Sequence, residues 1–321
     1  NWDEVLPLFL DTDSKSAQQV YPLMERAIEK SSKVVDKHTL TPSKRDRKYF
    51  KRPEMNKWID DNYTVIGKAY YLKEDFAKSE EIFLYLARTV DTPDAQASAF
   101  SWLGRIYIRT NDPIKAKNML AKAEQFGDVS REVAIHTKYV LAQYNIYQEN
   151  FEDAVRHLEE AIELIKRKKD KARPLFILAQ CLRETGDSER AIEVFNQVVD
   201  LRTPYELEFQ AKIQQAMTYE RSGGNSAPIV ELLEDMLDDD KNTEYLDQVY
   251  YALGEVALED RRREEGVDFL ESSIYASIGN SRQLGKGYLR LADLHMEDLH
   301  YETAQAYYDS ALIHMPADNK R

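Results

Sequence analysis

Ile66-Gly67-Lys68-Ala69-Tyr70-Tyr71, followed by Phe76, Ser79, Phe83 and Leu86, is the first clear copy of a pattern that returns to the end of the chain. In it, a small residue behind an apolar one is answered by a second small residue 12 positions later. Gly67 pairs in this way with Ser79, Gly104 with Ala116, Ala142 with Ala154, Ala179 with Ala191, Gly254 with Gly266, and Ala292 with Ala304. A fainter pair, Ala216 with Pro228, fills the one gap. The first members stand 37, 38, 37, 37, 38 and 38 residues apart. Self-similarity at such a period is the mark of a repeat array.

Each copy reads as two amphipathic helices. Phe100, Leu103, Tyr107 and Ile108 keep helical spacing until Asn111-Asp112-Pro113 breaks the helix, and Ala116, Leu120 and Ala123 mark the buried stripe of its partner. Small residues at fixed points let two helix backbones approach, with larger side chains filling the grooves beside them. One hairpin cannot bury its own apolar face, so neighbours must stack.

Gly104, Tyr107, Ala116, Leu120 and Ala123, and in the last unit Ala292, Ala304, Tyr308, Ala311 and Pro316, follow the small–aromatic–small–aromatic–small pattern of a known repeat. In these residues the chain resembles the tetratricopeptide-repeat family over about residues 60 to 316, with Leu120 standing in for an aromatic. The resemblance implies an all-α, right-handed superhelical solenoid of about seven hairpins, each three or four residues longer than the family norm. The fifth unit departs most, with Gly223-Gly224-Asn225 and Pro228 where a helix should start.

The expected organisation is a lead-in, capping helix and basic loop over residues 1–54, the solenoid over 55–316 and a tail over 317–321. The opening Asn-Trp-Asp-Glu-Val-Leu-Pro-Leu-Phe-Leu should run extended and pack over the first helix through Trp2, Leu6 and Phe9. A long helix capped by Ser14 or Ser16 should follow to about Asp36, with Val20, Met24, Ala27 and Val34 or Val35 turned inward. Residues 37–53 then gather Lys44, Arg45, Arg47, Lys48, Lys51 and Arg52 around Tyr49 and Phe50. Such a segment is a solvated loop or, if it binds, faces an acidic protein surface rather than nucleic acid.

Bulk properties narrow the function. With a formal charge of −13 and a pI of about 5.1, the chain is not expected to bind nucleic acid. The single Cys181 rules out an intrachain disulfide framework and falls on the apolar side of a helix. No apolar run is long enough to span a membrane. The chain starts at Asn1, and a signal peptide or a lipid-bearing Cys upstream of it is compatible with that start.

No chemistry is expected. Gly279-Asn-Ser-Arg-Gln-Leu-Gly-Lys-Gly287 lacks the spacing and the terminal hydroxyl of a phosphate loop and should lie between two helices. His38, His136, His157, His295, His300 and His314 include no pair with zinc-hydrolase spacing. Asp238 to Asp240 lacks the Gly and Glu of a calcium loop. No catalytic residue, cofactor or metal is assigned.

A narrower resemblance rests on Leu6-Pro7-Leu8-Phe9, Ala27-Ile28-Glu29-Lys30, Trp58-Ile59-Asp60-Asp61-Asn62-Tyr63 and Ile66-Gly67-Lys68-Ala69. Over about the first 110 residues the chain looks like the PorW/SprE family of the type IX secretion and gliding-motility apparatus of Bacteroidota. That likeness implies an outer-membrane, periplasm-facing lipoprotein that links secretion ring and motor components to the translocon. The membrane would be reached only through an N-terminal lipid anchor not present in this chain. The rival expectation is a generic cytoplasmic scaffold for a peptide or regulator.

In the tetratricopeptide family the first helix of each pair lines the concave face, at offsets −6, −3, +1, +4 and +5 from the first small residue. Carried over, these offsets name Lys68, Tyr71, Arg105, Arg109, Tyr139, Gln143, Phe176, Arg183, Met217, Tyr251 and Glu255 as partner-binding candidates. They also reach His136, Arg173, Gln180, Gln210, Ile213, Gln248 and Lys286. Early units offer Lys68, Arg105, Arg109, Arg173 and Arg183, and late units offer Glu220, Glu255, Glu259, Asp293 and Glu297. A face that changes sign would orient an extended partner peptide. The face is expected to stand open for that partner. Reversing Arg105, Arg109 and Arg183 to Glu is expected to abolish capture with helicity intact. The Lys/Asn/Asn/Lys/Arg set of the co-chaperone carboxylate clamp is absent, so a chaperone tail is not the expected guest.

Overall fold

The computed structural model describes residues 2–10, 14–40, 56, 58–201, 203–219 and 225–315. Most of the basic loop, Glu220, Arg221, Gly223, Gly224, Pro316 and the tail lie outside the described residues. Among those described the fold is all-α. A long helix, α1 (Ser14–His38), precedes the hairpins α2 (Ile59–Leu72) with α3 (Phe76–Thr89), α4 (Pro93–Arg109) with α5 (Pro113–Glu124), and α6 (Arg131–Tyr147) with α7 (Phe151–Leu164). Then come α8 (Ala172–Glu184) with α9 (Ser188–Asp200), α10 (Tyr205–Tyr219) with α11 (Ala227–Asp238), α12 (Leu246–Glu259) with α13 (Arg263–Ala276), and α14 (Ser281–Glu297) with α15 (Tyr301–His314).

The chain divides into two compact units, Val5–Cys181 and Asn1–Glu4 with Leu182–Arg321. In the first, α1 packs on α2 as the expected cap, α2 packs on α4, and α4 on α6. Val20, Met24, Ala27, Val34 and Val35 are half-buried and Ala17 and Ser31 buried, the stripe expected of α1. In the second, α10 packs on α12 and α12 on α14. Within each unit the first helices of the hairpins thus neighbour one another and form a continuous face.

The paired small residues are the points where hairpin helices meet. A Cβ placed on Gly67 would stand 2.7 Å from the Phe83 ring, and one on Gly104 would stand 2.6 Å from Leu120. The Ser79 hydroxyl donates to the Gly67 carbonyl at 2.9 Å. Gly254 and Gly266 face each other so closely that a Cβ on Gly266 would stand 3.1 Å from the Gly254 oxygen.

The turn inside six of the hairpins, those whose turns are among the described residues, has one recurrent form. Glu74, Asn111, Glu149, Gly186, Arg261 and Leu299 all have positive φ, between 56° and 83°, and each stands seven residues beyond its unit's first small residue. The next residue sends its N–H back five positions, as Asp75 does to Tyr70 at 3.0 Å and Asp112 to Tyr107 at 2.8 Å. This closes the first helix in a Schellman turn. In four of the six that same residue also caps the second helix with its side chain: Asp75 accepts from Lys78 N, Asp112 from Lys115 N, Asn150 from Asp153 N and Asp187 from Arg190 N. Only Gly186 adopts the left-handed conformation without a steric penalty. Leu299 has φ 62° and is 66% exposed, so little packing offsets its strain. Leu299→Gly is expected to raise stability by about 0.5–1 kcal/mol, read as a higher urea midpoint at unchanged slope. A lower midpoint would show that the leucine contributes packing that outweighs the strain.

Several expectations are corrected. Pro228 is not the second small residue of the fifth unit. It lies in the first turn of α11, where its missing N–H costs nothing. The buried residues of α11 are Ile229, Leu233 and Met236, at +13, +17 and +20 from Ala216, against +12, +16 and +19 for Ala116, Leu120 and Ala123 from Gly104. One extra residue between Tyr219 and Ala227 has moved the register. Ser281 to Gly287 is not a loop between helices but the first two turns of α14. The opening residues do not pack over the first helix; they lie against the first-helix faces described next.

Candidate peptide-binding groove

In the Val5–Cys181 unit, Val5 to Leu10 run without regular structure across the face formed by α4, α6 and α8. The Leu8 N–H donates to Gln143 Oε1 at 2.6 Å and the Leu6 N–H to Gln180 Oε1 at 3.0 Å. Between them Arg173 Nη2 donates to the Pro7 carbonyl at 2.7 Å. Gln143 is buried on α6 and Gln180 on α8, so both amides are held in place by the helices that carry them. Phe9 ends the grip. Its ring centroid lies 3.8 Å from the Arg105 guanidinium, 5.9 Å from His136 and 6.4 Å edge-on from Tyr139. Leu120, Val140 and Leu141 complete its apolar seat.

Arg105 is held on its other side by Tyr71, whose hydroxyl accepts from Nε at 3.0 Å. Tyr71 is buried against Phe76 and Trp102. Burial, with Arg105 and Lys68 nearby, lowers the pKa of His136 to about 3, so its ring is neutral in ordinary conditions. Burial raises that of Tyr139 to about 12. Beyond Phe9 the face opens into a cavity of about 430 Å³ with Lys68, Trp102 and His136 in its wall and Asp60, Asp61, Asp94 and Glu132 about it.

In the unit of Asn1–Glu4 with Leu182–Arg321, Trp2 and Asp3 line a cavity of about 250 Å³ with Gln210, Ile213, Gln214, Met217, Gln248, Tyr251, Gln283 and Lys286. Arg183 donates to the Asp3 carbonyl at 2.8 Å, and Lys286 pairs with the Asp3 carboxylate. Gln210 Nε2 donates to Gln248 Oε1 at 2.8 Å.

The residues named from the offsets divide into three groups. Lys68, Arg105, Tyr139 and Gln143 share one face, and Met217 and Tyr251 share the second cavity. Tyr71 supports from beneath. Arg109 is paired with Glu74 at 2.9 Å, and Glu255, 4% exposed, accepts from Arg290 at 2.8 Å. Phe176 is fully buried core. Arg183 is also buried, donating to Gln214 as well as to Asp3, so its reversal is expected to destabilise the fold as well as alter the face. Neither unit's face stands open as expected, because Val5 to Leu10 lie on the one and Trp2 and Asp3 on the other. Among the lining residues that escaped the offsets, Trp102 and Gln214 stand two positions before Gly104 and Ala216, a row the family pattern passes over. An unexplained large or amide side chain there was the only signal.

Among the described residues no group of three or more His, Cys, Asp or Glu could hold a metal, and no helix is long and apolar enough to cross a membrane. Cys181 is buried.

Residues 133–203 match the tetratricopeptide-repeat family model. No curated protein sequence matches the chain. A solved structure of the C-terminal part of a TPR repeat-containing protein from Cytophaga hutchinsonii is similar at TM-score 0.53 and 13% identity, over 86% of this chain and 99% of that one. A tetratricopeptide-repeat protein from Parabacteroides merdae aligns at TM-score 0.41 and 14% identity, over 90% of this chain and 98% of its own. The match shows tetratricopeptide repeats within residues 133–203, and the all-α fold of paired helices around them is similar to that of tetratricopeptide-repeat solenoids.

Proposed function

We propose that this chain is a non-catalytic adaptor that holds another protein by an extended segment laid across the first helices of its hairpins. One observation carries the reading: the amides of Gln143 and Gln180 take alternate main-chain N–H groups of a segment without regular structure while Arg173 takes the carbonyl between them. Main-chain recognition at every second residue, with a pocket for a side chain, is how a rigid surface gains affinity for an unfolded stretch. Fixed acceptors on buried side chains lose little entropy when a guest arrives.

The finer reading is an adaptor of the type IX secretion and gliding apparatus, at the periplasmic side of the outer membrane, linking ring and motor components to the translocon. It is supported by Leu6-Pro7-Leu8-Phe9, Trp58 to Tyr63 and Ile66 to Ala69, the stretches that resemble the PorW/SprE family. The test is co-purification of the full chain with ring, motor and translocon proteins from envelope extracts, repeated with Gln143→Leu and Arg105→Gln. Capture by the unaltered chain, lost in the variants, is expected. Capture unchanged by the variants would overturn the groove, and capture of none of these proteins would overturn the assignment to this apparatus.

A further inference from the structure

We infer that the groove of the Val5–Cys181 unit selects a partner segment of the form apolar–proline–apolar–aromatic, and that Leu6-Pro7-Leu8-Phe9 is the chain's own copy of it, which the partner displaces. The inference rests on the adaptor reading above and goes beyond it by naming the guest and its competitor.

The hydrogen-bond pattern defines the first three positions. The face reads the N–H of the first and third residues and the carbonyl of the second. Nothing asks the second residue for an N–H. Proline, which has none, fits there, and its fixed φ holds the segment extended before binding. The fourth position is read by its ring. A cation 3.8 Å above its centroid, with His136 and Tyr139 to its sides, favours an aromatic over an aliphatic residue of equal size.

The resident segment also uses the face incompletely, which makes it replaceable. Gln143 Nε2 and Arg173 Nε are buried and have no hydrogen-bond partner among the described residues. None of residues 2–10 is fully buried, and Leu10 is 78% exposed. A buried donor left unspent is costly. A guest that sets a carbonyl against the Gln143 amide nitrogen makes every bond the resident makes and one more. Until then the resident competes at the high effective concentration of a tethered ligand. If it fills the groove nine-tenths of the time, it lowers the partner's apparent affinity about tenfold.

The probe is a labelled synthetic peptide with the sequence of residues 2–10, titrated by fluorescence anisotropy into the full-length chain. Leu8→Pro removes the N–H that Gln143 accepts, and Phe9→Ala empties the ring site; both weaken the resident and leave every helix unaltered in sequence. About tenfold tighter peptide binding is expected in each variant than in the unaltered chain. In the unaltered chain, saturating peptide with Phe replaced by Leu should bind several-fold more weakly. Hydrogen exchange gives an independent reading: the amides of Leu6 and Leu8, protected in the free chain, should exchange freely once peptide is added. Equal affinity in the unaltered chain and in both variants would overturn the displacement while leaving the groove as a binding face. No binding in any of the three would overturn the groove itself.

Discussion

Arg183→Glu is expected to cost about 3–5 kcal/mol of stability, because it replaces a buried, bonded guanidinium by a carboxylate with nothing to pair it. Arg183 donates to Gln214, to the Asp3 carbonyl and, at 3.3 Å, to the Glu184 carboxylate. A glutamate there would meet the Asp3 carbonyl and the Glu184 carboxylate, with only the Gln214 amide, once turned, able to donate to it. The loss should appear as a lowered denaturant midpoint and as faster hydrogen exchange in α8 to α10, the α-helices nearest it in sequence. Arg183→Met, which keeps volume and removes charge, should cost clearly less. A loss below about 1 kcal/mol for the glutamate variant would show that water reaches the site.

The second large effect is expected at Phe83, in the other unit. Its side chain is fully buried, meets the face of Gly67 and stacks on Trp102 at 5.7 Å. Phe83→Ala removes a ring from a site walled by the α2 backbone at Gly67 and the Trp102 ring, neither of which can readily collapse onto the space. A loss of about 3–5 kcal/mol is expected from urea unfolding. Ile313→Ala, at a residue 79% exposed, should change it by less than about 0.5 kcal/mol. Hairpins in such an array depend mainly on their neighbours. Exchange protection in the Phe83→Ala variant should therefore fall first in α2 to α4 and persist in α12 to α15. Uniform loss throughout would contradict that locality.

Much of this was legible in the chain itself, and the reasons are local. Gly67 with Ser79 and Gly254 with Gly266 announce helix contacts because close backbone approach tolerates few residue types, and the structure places those contacts there. The family offsets reached Gln143, Tyr139 and Arg105 because helical periodicity fixes which residues share a face. Two kinds of fact were hidden. The seats of Trp2 to Leu10 depend on bonds between residues up to 283 positions apart, and no short-range pattern encodes them. The register of α11 depends on one added residue before it, invisible when Pro228 stands where a small residue is sought. Arg183 illustrates a third difficulty: its offset marks it as lining the face, but burial is a property of what lies across from it.

The Schellman turns carry a consequence for anyone altering the protein. In six of them only three residues separate the helices of a hairpin, 73–75 in the first case, and the third residue both ends one helix and starts the next. There is no slack to absorb a deletion or an added amino acid. The links from one hairpin to the next are instead uneven, from three residues at 90–92 through six at 125–130 to seven at 165–171 and 239–245. Epitope tags, fluorophore sites or grafted domains therefore belong at 125–130, where the molecule already accommodates variable length, and not at 110–112.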